Sequence, residues 1–132
     1  MKIDVSASAL NDLVAHLEEV PEDAHENIVK ATEFTANGTK KTAREFASGI
    51  DHAPHYPYAI TYDITDHGVG KGVSAEIGPD KDRRQGALGN ILEYGTVNNA
   101  PYAHLGPALD QWSPDFVQGL EKAAADALDG RR

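Results

Sequence analysis

The residue types best suited to catalysis or metal binding lie close together near the middle of the chain. Two histidines, a carboxylate and a phenol fall within six positions, as Asp51-His52-Ala53-Pro54-His55-Tyr56. Imidazoles three residues apart bind one metal ion when a helix places both rings on the same face. Pro54 disfavours helical geometry for the residue before it, so we predict that the two rings do not converge. A small metal-dependent or histidine-based hydrolase using Asp51, His52 and His55 is the alternative function.

A glycine-rich run, Gly68-Val69-Gly70-Lys71-Gly72, has only a superficial likeness to phosphate-binding loops. The Walker pattern needs a glycine at position 65 and Ser or Thr after Lys71, but Thr65 and Gly72 occupy those places. The run also leads into a predicted strand, whereas a dinucleotide-binding loop opens a helix. We interpret this run as a hairpin turn. For the chain as a whole we expect no catalytic residue, no cofactor and no metal.

The balance of charge argues against tight binding to nucleic acid. Twenty-one acidic and twelve basic side chains leave a net charge of −9, whereas non-specific affinity for DNA comes mainly from cationic side chains. An acidic surface is compatible with DNA passing close by, because repulsion prevents sticking inside a channel. The chain has no cysteine, which excludes disulfides and thiolate metal sites.

The length of the chain predicts one domain, residues 1–132. Its hydropathy predicts a protein that is made in a cytoplasm. A chain of 132 residues can bury one modest core. No apolar stretch has the pattern of a signal peptide or the length of a membrane span, so we expect no membrane contact. Residues 129–132 are predicted to fray.

Hydrophobic periodicity predicts an α+β fold, with a small antiparallel sheet packed by a long N-terminal helix and a C-terminal helix. A short strand at 3–5 precedes a helix that ends near 19, and a long helix then starts at 21–22 and continues to about 50. The inner stripe of the long helix consists mainly of small residues and includes Gly38, which indicates close approach to another element. Alternation over 58–65 and 73–77 predicts a β-hairpin.

The second half of the chain is predicted to contain a functional loop, one more strand and two helical pieces. Residues 78–90 form a charged, glycine-punctuated segment, which we interpret as a long partner-binding loop. A short strand is predicted at 91–96, followed by a turn or short helix that carries Trp112. Ser113-Pro114-Asp115 predicts the start of the last helix. The predicted order is βααββ, loop, βαα.

Segment 92–109 carries a combination of residues that resembles a known family signature. It contains in order Leu92-Glu93-Tyr94-Gly95-Thr96, Pro101-Tyr102 and Leu105-Gly106-Pro107-Ala108-Leu109. This combination is similar to the gene-product-ten-like tail-component family of lambdoid siphophages. That family has a strand ending in E-[FY]-G-T, then a proline with an aromatic residue, then a P-A-L box that opens the last helical region. The resemblance is specific over about 86–128 and architectural before it.

The resemblance implies a non-enzymatic structural protein of the virion. Family members act at the tail or at the head–tail joint, where copies assemble into rings around the DNA path. We therefore expect a head–tail joining or tail-completion subunit that forms a homo-oligomeric ring, six-fold in our prediction, at the neck or tail end. The expected partners are copies of the chain and adjacent connector or tail proteins, while DNA passes through without being held tightly.

Most residues of the segment suit structural roles. Gly95 permits positive φ, Thr96 can bond the backbone beside it, and Pro107 pre-sets φ for the first turn of a helix. The other members of this structural motif are Tyr94, Pro101, Ala108 and Leu109.

Glu93 is the unusual member, because an acid at a semi-buried place in a predicted strand needs a cation or a backbone donor. We predict that Arg83 or Arg84 of a neighbouring copy pairs with Glu93 across a subunit boundary. A head-to-tail ring would give each arginine loop one identical partner. The alternative is that Glu93 accepts a hydrogen bond from a backbone amide of its own chain.

Overall fold

The α+β fold class is confirmed. The computed structural model describes residues 2–6, 22–68, 71–97 and 100–128. Within these ranges the strands are β1 (Lys2–Ser6), β2 (Ile60–Asp66) and β3 (Gly72–Pro79), and the helices are α1 (Glu22–Ala47), α2 (Gly89–Tyr94) and α3 (Leu105–Leu128). Short 3-10 turns precede β2 at Tyr56–Ala59 and α2 at Gly86–Leu88. The predicted helix ending near 19 and the predicted tail 129–132 lie outside the described residues.

The three strands form one antiparallel sheet in the order β1-β3-β2. The predicted hairpin is confirmed, because β2 pairs with β3. Tyr62 lies opposite Ile77 and Ile64 opposite Ala75, so the apolar residues of both strands share one face of the sheet. Ala75 and Ile77 are buried on that face, whereas Glu76, between them in sequence, is exposed.

Helix α1 packs on this apolar face and also packs along α3. Its buried side consists mainly of small residues: Thr32, Thr35, Ala36, Gly38, Thr39, Thr42, Ala43 and Ala47. A Cβ added at Gly38 would lie 2.6 Å from ring atoms of Trp112 in α3. The prediction that Gly38 marks a close approach between elements is therefore confirmed. The indole Nε1 of Trp112 donates a 2.9 Å hydrogen bond to Thr42 Oγ1.

Helix α3 is continuous, so the predicted helix start at Ser113 is wrong. Pro114 lies inside the helix, where it cannot donate the hydrogen bond that the carbonyl of Asp110 would otherwise accept. Ser113 does not act as a cap, because its hydroxyl donates to the carbonyl of Leu109 at 2.8 Å. Packing against α1 keeps the helix intact through the proline. None of the described helices combines the length and apolarity needed to cross a membrane.

The predicted strand at 91–96 is also wrong, because residues 89–94 form the short helix α2. The predicted loop 78–90 is shorter than expected, since β3 continues to Pro79 and the chain turns helical again at Gly86. Gln85 adopts the left-handed conformation, with φ of 63°. Its side-chain Oε1 accepts a 2.7 Å hydrogen bond from the backbone amide of His55. The segment between β3 and α2 is therefore held to the backbone just before the 3-10 turn at Tyr56–Ala59.

Candidate interaction site

The carboxylate of Glu93 on α2 is directed at the N-terminus of α3. Glu93 is only 7% exposed. Its Oε2 accepts the backbone N–H of His104 at 3.0 Å. Its Oε1 accepts the N–H of Leu105 at 2.6 Å and that of Gly106 at 3.0 Å. One side chain thus binds three successive amides.

These contacts account for every backbone donor that the start of a helix leaves without an intrahelical partner. An α-helix has four such N–H groups. At α3 three of them donate to Glu93, and the fourth position is Pro107, which has no N–H. The ladder of the helix begins at the next residue, where the amide of Ala108 donates to the carbonyl of His104 at 3.2 Å. The negative charge of Glu93 also lies favourably at the positive end of the helix dipole.

This geometry corrects the predicted pairing between Glu93 and an arginine of a neighbouring copy. Both carboxylate oxygens are already used within the chain, and burial leaves little of the side chain open to an incoming guanidinium. The alternative, a hydrogen bond to a backbone amide of the same chain, is confirmed threefold. Glu93 therefore caps helix α3 of its own chain.

A buried Tyr56–His104 pair lies beside this cap. Both side chains are fully buried, and the Tyr56 hydroxyl lies 2.6 Å from Nε2 of His104. Nδ1 of His104 lies 2.8 Å from the carbonyl of Tyr102. Because a carbonyl only accepts, Nδ1 carries the proton, and the Tyr56 hydroxyl therefore donates to Nε2. The pair ties the 3-10 turn before β2 to the start of α3.

Burial governs the acid–base behaviour of Tyr56. Desolvation in the core, followed by the nearby negative charge of Glu93, raises the pKa of the Tyr56 phenol well above its ordinary value of 10.0. The phenol therefore stays protonated, as its role as a hydrogen-bond donor requires. A fully buried Tyr–His pair of this kind has no access to a substrate and acts as a structural connection.

The outward side of the same segment is apolar and exposed. Tyr94 is 77% exposed, Ile91 and Tyr102 are each 49% exposed, and Val97 is fully exposed. Ile91 and Tyr102 line a cleft of about 390 Å³ together with His52. The rings of His52 and Tyr102 meet edge to face, with centroids 6.1 Å apart. We call Ile91, Tyr94, Val97 and Tyr102 the apolar surface.

The apolar surface belongs to a stretch that is almost free of charge. Among residues 89–109 the only acidic or basic side chain, apart from His104, is Glu93, and both of these are buried. In the chain as a whole 25% of residues are charged. The centres of protein–protein interfaces are depleted of charged residues and enriched in tyrosine. The composition of this stretch is therefore that of a contact surface.

The three residues of the alternative hydrolase do not form a common site. Asp51 and His52 are exposed, and the ring of His52 packs against Tyr102. His55 lines a different cleft, of about 230 Å³, together with Arg83 and Arg84. Within the part of the chain that the structure describes, no group of three or more His, Cys, Asp or Glu side chains is placed to hold a metal ion.

Arg83 and Arg84 are exposed, as expected for a docking element. Nη1 of Arg83 donates to the carbonyl of Tyr58 at 3.1 Å, and its Nε lies 3.7 Å from a carboxylate oxygen of Asp80. Arg83 is thus partly held by its own chain. Arg84 makes no ion pair within the described ranges, so its partner contact stays a prediction.

Gly95 and Pro107 have the structural roles expected of them, in a changed setting. Gly95 has a positive φ of 74°, but it ends helix α2 and does not end a strand. Thr96 forms an isolated backbone bridge. Pro107 lies in the first turn of α3, and Ala108 is fully buried there. Leu109 packs against the core, while Pro101 lies in the exposed connection before α3.

The chain matches no protein-family model, no curated protein and no solved structure. The resemblance of segment 92–109 to a phage tail-component family thus stays a prediction from the sequence. Sequence reasoning did not identify the pairing of Tyr56 with His104. The two residues are 48 positions apart, and no local pattern links a tyrosine in a proline-rich turn to a histidine before a distant helix.

Proposed function

We propose that this chain is a structural protein of a tailed bacteriophage, a head–tail joining or tail-completion subunit that forms a ring at the neck or tail end around the DNA path. The observation that carries the proposal is the apolar surface. It coincides with the segment whose residues resemble the tail-component family. Its chemistry suits a protein partner, because exposed apolar patches of this kind mark interaction sites.

The inward side of the segment supports the same proposal. Three hydrogen bonds that Glu93 accepts, together with the buried Tyr56–His104 pair, hold the backbone beneath the apolar surface. A surface that is already ordered loses less conformational entropy when a partner binds. We therefore propose that the apolar surface docks, with little rearrangement, on an adjacent connector or tail protein.

The negative charge of the chain fits this position in a virion. A subunit that surrounds a DNA path must let the duplex move without holding it. A net charge of −9 repels phosphates and opposes tight binding.

Deletion of the gene from the phage or prophage that carries it tests the proposal. We expect filled heads and unattached tails, or tails of abnormal ends, in electron micrographs, together with loss of infectious particles. Complementation with the wild-type gene should restore joined particles, and peptides of this chain should be found in purified virions by mass spectrometry. Normal particles from the deletion strain would contradict the proposal.

A matched pair of variants tests the surface itself. Tyr94→Ser should abolish incorporation into particles, because it removes the most exposed ring of the apolar surface. Lys71→Ser is the control, since Lys71 is also exposed but lies at the turn between β2 and β3, on a different surface. Equal incorporation of both variants would show that the apolar surface is not the docking surface.

A further inference from the structure

Basic side chains concentrate on one part of this acidic chain. Six of the twelve lysines and arginines fall within 40–44 and 81–84; they are Lys40, Lys41, Arg44, Lys81, Arg83 and Arg84. We call this set the basic flank. The structure brings its two segments together at the start of β2. Arg44 Nη2 donates to the carbonyl of Ile60 at 2.8 Å, and Arg83 donates to the carbonyl of Tyr58 two residues earlier.

Lys40 confirms that the two segments share one electrostatic environment. Its Nζ lies 5.4 Å from the centre of the Tyr62 ring. Tyr62 lines a cleft together with Lys81 and Arg83 and with the carboxylates of Asp63, Glu76 and Asp80. Burial, followed by the positive charges of Arg44, Lys41 and Arg83, lowers the pKa of Lys40. The positive charges are therefore close enough to repel one another, and a negatively charged partner would relieve that repulsion.

The opposite half of the helix pair is acidic. Gly119 of α3 lies against Ala31 of α1, and Gly38 of α1 lies against Trp112 of α3. The helices therefore run antiparallel, and the second half of α3 lies along the first half of α1. This region and the middle of α3 carry four exposed acids, which we call the acidic flank: Glu26, Glu33, Asp115 and Glu121. Two exposed lysines, Lys30 and Lys122, lie beside them.

The charges of the chain indicate what the basic flank binds. Segments 40–45 and 80–84 contain six basic and three acidic side chains, while the remaining residues contain six basic and eighteen acidic ones. The basic flank is thus complementary to the surface that another copy of the same chain presents elsewhere. From this complementarity we infer that the basic flank of one copy docks on the acidic flank of the next.

Such a contact joins two different surfaces and is therefore heterologous. Heterologous contacts repeat head to tail and close into a ring when the rotation between neighbours permits it. The inference rests on the proposed function for its partner, an identical neighbouring subunit. It replaces Glu93 as the predicted partner of the arginine loop, and it leaves the apolar surface available for a different protein of the particle.

Paired charge reversals test the docking. The basic-flank variant carries Lys41→Glu with Arg84→Glu, and the acidic-flank variant carries Glu33→Lys with Glu121→Lys. None of these four side chains makes a hydrogen bond or an ion pair within the described residues, so both variants should melt like the wild type. Sedimentation velocity at low ionic strength should show association of the wild type and loss of association for each variant alone.

An equimolar mixture of the two variants is the decisive sample. Each variant then meets a partner whose altered flank has the opposite charge, so association should return to the wild-type level. Raising the ionic strength should dissociate the wild-type and mixed assemblies alike, because salt screens exposed charges. Failure of the mixture to associate, association of either variant alone, or a wild type that stays monomeric at the highest soluble concentration would each overturn the inference.

A DNA-binding assay tests the other ligand that a basic surface can bind, which is the phosphate backbone of nucleic acid. Wild-type protein is mixed with a short DNA duplex at the same low ionic strength. We expect no shift of the duplex in electrophoresis. A shift that the basic-flank variant abolishes, without protein self-association, would overturn the docking inference in favour of phosphate binding. Because these measurements use purified protein, their outcome is independent of whether the chain is found in virions.

Discussion

The inward and outward sides of segment 89–109 differ in almost every physical respect. The inward side is buried and its polar groups are paired, with Glu93 binding three amides and Tyr56 bonded to His104. The outward side exposes Tyr94 and Val97 to solvent and carries no charge. The first arrangement stabilises the chain itself, whereas the second contributes little to folding. The difference shows that one short segment combines a buried, hydrogen-bonded side with an exposed apolar side.

Removing the Glu93 carboxylate should give the largest effect. Glu93→Ala leaves three N–H groups at the start of α3 without acceptors, so the free energy of unfolding should fall by roughly 3 kcal/mol or more. Urea denaturation measures the change. Glu33→Ala, at an exposed helical glutamate, is the control and should change stability by less than about 0.5 kcal/mol. Similar losses of stability for the two variants would show that the buried carboxylate of Glu93 contributes no more to folding than an exposed glutamate does.

Glu93→Gln sharpens the same measurement. The amide retains one acceptor oxygen, but it places an NH₂ group where Oε2 accepts the His104 amide, and it loses the charge at the helix terminus. We expect a loss between those of the wild type and Glu93→Ala, on the order of 2 kcal/mol. A glutamine variant as stable as the wild type would show that the charge contributes nothing.

Loss of the Tyr56 hydroxyl should give an intermediate effect. Tyr56→Phe leaves Nε2 of His104 buried without its donor, which should lower the free energy of unfolding by about 1 to 2 kcal/mol. Tyr94→Phe is the matched control, because the hydroxyl of an exposed tyrosine is solvated in both the folded and unfolded chain. A Tyr56→Phe variant as stable as its control would mean that the hydrogen bond at 2.6 Å adds no stability.

The pKa of Tyr56 also predicts a fall in stability at alkaline pH. Its pKa is raised in the folded protein above the value of 10.0 that applies to an exposed phenol. The associated stability is therefore fully present below about pH 10 and is lost as the pH rises from there toward the folded pKa. Urea midpoints between about pH 9 and about pH 11 should decrease in the wild type and decrease less in Tyr56→Phe. Parallel slopes for the two proteins would contradict this assignment.

Substitutions on the outward side should affect stability least. Tyr94→Ser and Val97→Ser remove side chains that make few contacts within the chain, so each should change the free energy of unfolding by less than about 0.5 kcal/mol. Thermal denaturation of the two variants beside the wild type measures this. A loss above about 1.5 kcal/mol would show that these side chains belong to the fold.

Sequence periodicity predicted the elements whose burial is local and regular. The β2–β3 hairpin follows from alternation of apolar and polar residues, and the long helix α1 follows from its repeating stripe. The stripe predicts a close approach between the long helix and another element at Gly38, because only small residues leave room for such an approach. For these elements neighbouring residues contain the required information.

The errors arise where a distant contact decides the local structure. Residues 91–94 have no clear period, and they are helical because that conformation directs Glu93 toward amides 11 to 13 positions later in the chain. Pro114 predicted a helix boundary from local rules, but α3 packs on α1 on both sides of it. The cap at α3 could be recognised only by knowing that Glu93 meets the amides of residues 104–106.

The position of Trp112 makes the packing of α1 and α3 directly observable. The indole lies over Gly38, donates to Thr42 and meets the ring of Phe34 edge to face at 5.7 Å. It is the only tryptophan of the chain. Its fluorescence therefore reports on one helix–helix contact without any attached label. Separation of the helices would expose the indole to water and shift its emission to longer wavelength.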